Sequence, residues 1–192
     1  MTEKYVIKTT VKNRDLVLET ANNVFSPKGI DKGTLAMLSI VEFQEGDKVL
    51  DLGCGYGIVG IVAAKFLGTG NVVMIDKDFT AVELSKKNAV LNNVDGIKII
   101  QSDGFKGLDE KDFSIILSNP PYHDDFSVPK EFIEKGFNRL KIGGRMFMVT
   151  KRDLWYRNKL ASIFGGVKKW IIDDYFVFMS EKKDFKYAKM KR

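Results

Sequence analysis

The sequence predicts an α/β fold built on a doubly wound parallel sheet, and three observations carry that prediction. Short apolar runs alternate with helix-like segments from Lys48 to Phe164, the order that lays helices on both faces of a parallel sheet. Val49-Leu50-Asp51-Leu52 runs into Gly53, Gly55 and Gly57 and then into an apolar segment from Ile58. That succession reads as buried strand, tight turn and buried helix. Two late apolar runs, Val167 to Ile172 and Tyr175 to Met179, are separated only by Asp173-Asp174. So short a link joins antiparallel strands.

A chain of 192 residues suffices for one well-buried domain, and two would be cramped. The expected organisation is a single unit over 1–192: an N-terminal β extension over 1–23, a core over 24–180 and a basic tail over 181–192. No apolar run approaches the ~20 residues of a membrane span, and the first residues lack the apolar stretch of a secretion signal. Cys54 is the one cysteine, so no internal disulfide forms, and a cytoplasmic setting is expected. No metal site is expected. The net charge is +6, and the stretch from Glu181 to Arg192 carries six lysines and arginines against two acids. Such a surface attracts polyanions, nucleic acid first among them.

In chain order, Tyr5–Val11 and Asp15–Thr20 read as two strands joined by a turn at Lys12-Asn13-Arg14. A loop rich in Gly, Pro, Ser, Asn and Asp follows, from Asn23 to Thr34, and holds the apolar Phe25. A helix is expected from Thr34 to about Phe43, with Leu35, Leu38 and Ile40-Val41 available for burial. The helix after the glycine turn ends at Gly68. Asn71–Asp76 is the second core strand, and its terminal acid suits a pair of ribose hydroxyls. Asp78 caps a helix from Phe79 to Leu91, with Ala81, Leu84, Ala89 and Leu91 as its apolar face. Ile97–Ile100 is the third strand, closed by Gln101-Ser102-Asp103-Gly104. Asp103 there suits the amino edge of an adenine, and Phe105 its face. Phe113–Leu117 is the fourth strand. Ser127 to Lys141 is a helix, Gly143-Gly144 a turn, Arg145–Val149 the fifth strand, and Trp155–Phe164 a further helix.

The fourth strand runs into Asn119-Pro120-Pro121-Tyr122-His123. Two prolines fix the backbone and remove two donors. The Asn119 side-chain oxygen and the Pro120 carbonyl then form a rigid pair of acceptors, matched to the two hydrogens of a planar amine. Binding both hydrogens as the nitrogen pyramidalises favours the transition state. Tyr122 offers a face on which a base stacks, worth about 1–3 kcal/mol. Gly55-x-Gly57-x-x-Gly60 by itself matches the dinucleotide fingerprint. An acid ahead of the glycines, Asp51, instead suits a ligand bearing an ammonium and a sulfonium, and sits badly against a pyrophosphate. The pattern Asp51-x-Gly53-x-Gly55-x-Gly57 resembles that of S-adenosylmethionine sites.

These motifs resemble the class I S-adenosylmethionine-dependent methyltransferases of the small-domain family, among them bacterial ribosomal RNA guanine-N2 methyltransferases. The similarity runs from about Val24 to Ser180. It is carried by Phe25-Ser26 with Ile30-Asp31-Lys32-Gly33-Thr34, by the glycine loop from Asp51 to Gly57, by Asp76 and Asp103, and by Asn119-Pro120-Pro121-Tyr122-His123. The resemblance implies a Rossmann-like seven-stranded sheet in the order 3-2-1-4-5-7-6, its last strand antiparallel. It implies S-adenosylmethionine held by Asp51, Gly53, Gly55, Gly57, Asp76, Asp103, Gly104 and Asn119. Catalysis is expected from Asn119, Pro120 and Tyr122, and substrate contacts from Phe25, Pro121, Tyr122, His123 and Lys151. The expected substrate is the N2 amine of a guanine in ribosomal RNA. The same turn also serves adenine N6 or glutamine N5 of a protein, and a non-catalytic cofactor- and RNA-binding module is a third reading. The oligomeric state stays open.

Overall fold

A computed structural model of the protein describes residues 3–121 and 125–188. Tyr122, His123 and the end of the basic tail lie outside the described residues. Seven strands form one sheet: β3 (Val49–Leu52), β4 (Val72–Asp76), β5 (Lys98–Gln101), β6 (Phe113–Ser118), β7 (Leu140–Thr150), β8 (Lys168–Ile172) and β9 (Tyr175–Glu181). Their spatial order is β5-β4-β3-β6-β7-β9-β8. All neighbours are parallel except β9, which is antiparallel to both β7 and β8. Counted from β3, this is the expected 3-2-1-4-5-7-6 order. Both Asp173 (φ 47°) and Asp174 (φ 64°) adopt the left-handed conformation that a two-residue hairpin needs.

The apolar runs are continuous because both faces of the sheet are covered. Val49, Met74, Ile115, Leu117, Phe147, Val149 and Val177 pack toward one face, against α1 (Lys32–Ile40), α2 (Ile58–Leu67) and α3 (Phe79–Leu91). Their alternates Leu50, Leu52, Val73, Ile75, Ile116, Met146, Met148 and Phe178 face α4 (Ser127–Arg139) and α5 (Leu154–Phe164).

Four expectations are corrected here. Helix α1 begins at Lys32, because Asp31 accepts from the Thr34 amide at 2.8 Å and caps it two residues earlier than expected. In consequence Met37 and Ala36 are buried and Leu35 is 38% exposed. Leu91 of α3 also faces outward, while the buried stripe is completed by Val82, Ser85 and Asn88. Gly143-Gly144 lies inside β7, at an irregularity where the pairing with β6 shifts register. Finally, Lys182 is only 6% exposed: its ammonium donates to the Leu140 carbonyl at 2.7 Å and lies over the Phe137 ring. Farther on, Tyr187 packs edge-on against Phe137, and the Ala188 amide donates to Ile163. The described part of the tail therefore lies along α4 and α5, at the end of the sheet where β6 and β7 begin.

The N-terminal strands β1 (Lys4–Val11) and β2 (Arg14–Ala21) form a separate two-stranded sheet. Lys12 (φ 50°) and Asn13 (φ 60°) alone make its turn. The outer edge of β2 is completed by two side chains one helical turn apart, on α3 and at its C-terminal cap, rather than by another strand. The Asn92 amide group accepts from the Val17 N–H (3.1 Å) and donates to the Val17 carbonyl (2.8 Å). Asn88 does the same for Glu19 at 2.7 and 2.8 Å, and it also donates to the Tyr56 carbonyl at 2.8 Å. Each amide mimics one peptide of a neighbouring strand. Asn88→Ala is expected to lower stability by about 1–3 kcal/mol, since it orphans buried backbone groups. Asn88→Asp should cost more, because a carboxylate then faces two carbonyls. Urea denaturation of the two variants gives that order, and the reverse order would overturn the assignment.

Candidate active site

A cavity opens at the C-terminal ends of β3, β4, β5 and β6, where open α/β sheets bind ligands. Its floor is the glycine turn. Gly53 and Cys54 both donate to the Ile75 carbonyl at 2.9 Å, and Gly57 donates back to Cys54. From α3, the Ser85 hydroxyl donates to the Gly55 carbonyl at 2.8 Å. Gly57 has φ 98°, and a Cβ there would meet Met74 Cε at 2.8 Å. Gly60 is closer still: its Cβ would lie 2.4 Å from Met74 Cγ. The turn is thus held from beneath by β4 and from the side by α3, with α2 resting directly on Met74.

Asp51 lines the cavity but is 3% exposed, and its Oδ2 accepts from the Gly60 amide at 2.8 Å. Burial pushes its carboxyl up to about 7; the Gly60 hydrogen bond opposes this and the Asp76 charge adds to it. Between the ordinary value of 3.8 and about 7, the folded chain keeps a proton that the unfolded chain has lost. The contribution to stability therefore falls as pH rises through that window and levels off above it. Asp51→Asn removes the titration. Its stability relative to the parent, measured by urea denaturation, should rise from pH 4 to 7 and stay flat beyond; a pH-independent difference would contradict this.

Asp76 ends β4, accepting from Gly55 N–H at 2.8 Å through Oδ2 and from Asp78 N–H at 3.0 Å through Oδ1. Asp103 lines the cavity near Gly104; it pairs with Lys106 at 2.5 Å, and the resulting hydrogen bond and charge hold its carboxyl below the usual range. Phe105 does not reach the cavity. It is 5% exposed in the core, with its edge toward Phe132, and Phe132 provides the aromatic lining instead. Phe25 is 52% exposed and lines the cavity from the loop before α1, so it does not pin that loop to the core. Cys54 is buried, and burial pushes its thiol well above the ordinary range, which disfavours a nucleophilic thiolate. Lys151 stands off the cavity, its ammonium 4.9 Å from the centre of the Tyr175 ring. Lys169 is paired with Asp153. Among the described residues, no cluster of His, Cys, Asp or Glu is arranged to hold a metal ion, and no helix is long and apolar enough to cross a membrane.

Asn119 and both prolines line the cavity at the end of β6. The Asn119 Nδ2 donates to Asp31 Oδ2 at 2.9 Å and to Thr34 Oγ1 at 3.0 Å. Its Oδ1 is buried and has no hydrogen-bond partner among the described residues. An unpartnered buried acceptor is costly, and this one belongs to a residue lining a ligand-sized cavity. Asp31, Thr34, Tyr56 and Phe132 are site residues whose role the sequence did not reveal. The pattern Asp31-x-x-Thr34, an acid three residues ahead of a helical position, was the readable signal for the first two.

The sheet order with one antiparallel strand, the glycine turn and the Asn-Pro-Pro corner together define a Rossmann-like methyltransferase fold. The chain belongs to the family described as Methyltransferase small domain, which matches residues 15–180. It is 35% identical to the Bacillus subtilis (strain 168) protein YbxB over 144 residues, 74% of this chain and 72% of that one. It is 29% identical to ribosomal RNA large subunit methyltransferase G of Yersinia pestis (strain Pestoides F) over 161 residues, 80% of this chain. That match takes in 41% of the relative, so the chain spans about two fifths of its length. Among solved structures, the T. thermophilus 16S rRNA N2 G1207 methyltransferase (RsmC), in complex with AdoMet and guanosine, superposes with a TM-score of 0.86 at 27% identity. The superposition covers 94% of this chain and 51% of that one.

Proposed function

We propose that the protein is an S-adenosylmethionine-dependent N-methyltransferase acting on the exocyclic N2 amine of a guanine in ribosomal RNA. The observation that carries this reading is the buried Oδ1 of Asn119, a residue lining the cavity, which has no hydrogen-bond partner among the described residues. The similarity to RsmC, solved with AdoMet and guanosine, and to the large-subunit enzyme supports the choice of base and polymer. The unit doing this work is the whole chain, with the core over 24–180, in the cytoplasm.

The residues present fit the cofactor. The glycine turn presents backbone rather than side chains, Asp76 retains acceptor capacity for a ribose, and Asp51 places an acid under the turn for an ammonium. Asp103 and Gly104 border the end where an adenine would lie, with Phe132 as the apolar wall. When bound, S-adenosylmethionine supplies an electrophilic methyl group on a sulfonium. The protein's own task is positioning. Asn119 Oδ1 accepts one amine hydrogen and the Pro120 carbonyl the other. Charge that would grow on the nitrogen as it took the methyl from the sulfonium, which would leave as a neutral thioether, is met by these two acceptors. The surplus proton then leaves the methylated nitrogen to solvent. Tyr122 is assigned the stacking role, and Pro121, His123 and Phe25 are assigned contacts with the substrate. Lys151 and Arg152, just past β7, are assigned to phosphates.

The test is methyl transfer from labelled S-adenosylmethionine to ribosomal RNA from cells lacking the protein, followed by nucleoside separation. Label in N2-methylguanosine supports the proposal. Label in N6-methyladenosine overturns the base, and label in protein glutamine overturns the polymer.

A further inference from the structure

We propose that Asp31 is a positioning residue that fixes the Asn119 side chain in the one orientation able to serve an amine; the inference rests on the functional reading above. The two ends of a primary amide are nearly identical in shape and opposite in hydrogen bonding. If Asn119 turned its NH2 toward the cavity, it would set donors against the donors of the incoming amine. Asp31 excludes that arrangement. A carboxylate only accepts, so the atom facing it at 2.9 Å is Nδ2, and Oδ1 is left without a partner among the described residues. Thr34 cannot make this choice alone, because its hydroxyl both donates and accepts; with Asp31 in place it accepts from the same Nδ2 at 3.0 Å.

Asp31 is itself held from several directions. Its Oδ2 accepts from the Thr34 amide at 2.8 Å, as the cap of α1, where the helix dipole favours a negative charge. Its Oδ1 accepts from the Tyr175 hydroxyl at 3.3 Å, at the start of β9. Gly33 makes room for this meeting, since a Cβ there would lie 2.6 Å from the Tyr175 ring and 2.9 Å from Asp31 Oδ2. The α1 cap, the end of β6 and the start of β9 thus converge on one carboxylate. A negative charge at Nδ2 also polarises the amide and makes Oδ1 a stronger acceptor.

The test uses the full chain with two variants. Asp31→Ser keeps a good helix cap but is too short to reach Asn119. Asp31→Asn presents its own oxygen to Thr34 N–H and Asn119 Nδ2, and its NH2 to the Tyr175 oxygen. We expect Asp31→Ser to lower kcat about 10- to 100-fold, as misplacement of a reacting group does, with KM for RNA little changed. Asp31→Asn should recover most of that loss. Equal kcat in Asp31→Ser and the parent, or no recovery with Asn in a folded protein, would overturn the inference. A readout independent of turnover is the Asn119 side-chain NH2 resonance in 15N-labelled protein, assigned by its loss in Asn119→Asp. It should move in Asp31→Ser and return toward its place in Asp31→Asn; an unmoved resonance in Asp31→Ser rejects positioning. If the parent methylates no amine, the functional reading fails, and the resonance alone then decides whether Asp31 orients Asn119.

Discussion

Asn119→Ala is expected to lower kcat for methyl transfer by about 10²- to 10³-fold, the loss seen when one preorganised electrostatic partner is removed from a transition state. Affinity for the methyl donor should change by only a few-fold, because the glycine turn and Asp76 are untouched. The variant should also fold. Asp31 Oδ2 keeps the Thr34 amide as a donor, so no buried charge is stranded. Single-turnover kinetics with saturating RNA, together with equilibrium binding of S-adenosylmethionine, separate the two effects. A kcat within a few-fold of the parent would mean that Asn119 Oδ1 does not hold the reacting amine.

Gly60→Ala is expected to act on stability instead. Alanine ordinarily favours a helix over glycine by up to about 1 kcal/mol. Here its methyl would meet Met74 Cγ at 2.4 Å and Sδ at 2.5 Å, beneath a side chain with no exposed surface. Overpacking of that kind costs about 1–3 kcal/mol, and it would move the N–H that holds Asp51. Met74→Ala in the same chain opens the needed space. The double variant should therefore be more stable than the sum of the two single losses implies. Strict additivity in urea denaturation would show that the contact between α2 and β4 is not the obstacle.

The central strands of the sheet were legible because they are buried on both faces. Val49, Ile115 and Phe147 pack to one side while Leu50, Ile116 and Met146 pack to the other, and such runs leave a plain apolar signature. The glycines and the Asn-Pro-Pro corner were legible because backbone geometry restricts which residues fit there. Boundaries and partnerships were less so. Asp31 reads as one polar residue in a polar loop, and only the tertiary approach of Asn119, 88 positions later, gives it a second task. Lys182 reads as part of a solvated basic run, yet the carbonyl of Leu140 and the ring of Phe137 draw it inside. Phe105 sits where an aromatic residue would suit an adenine, but the turn after β5 points it into the core and leaves Phe132, from a helix further along the chain, to line the cavity. In each case a contact distant in sequence decides the outcome.

The asparagines of α3 and its C-terminal cap have a consequence for motion. Asn88 joins the Glu19 peptide to the carbonyl of Tyr56, and Tyr56 belongs to the turn where the cofactor is proposed to sit. Fraying of the hairpin and loosening of that turn therefore share an opening event. A molecule seated on the turn should slow deuterium uptake at Val17 and Glu19, although neither residue lines the cavity. The hairpin would then report occupancy of a site it does not touch, through a side chain standing in for a missing strand.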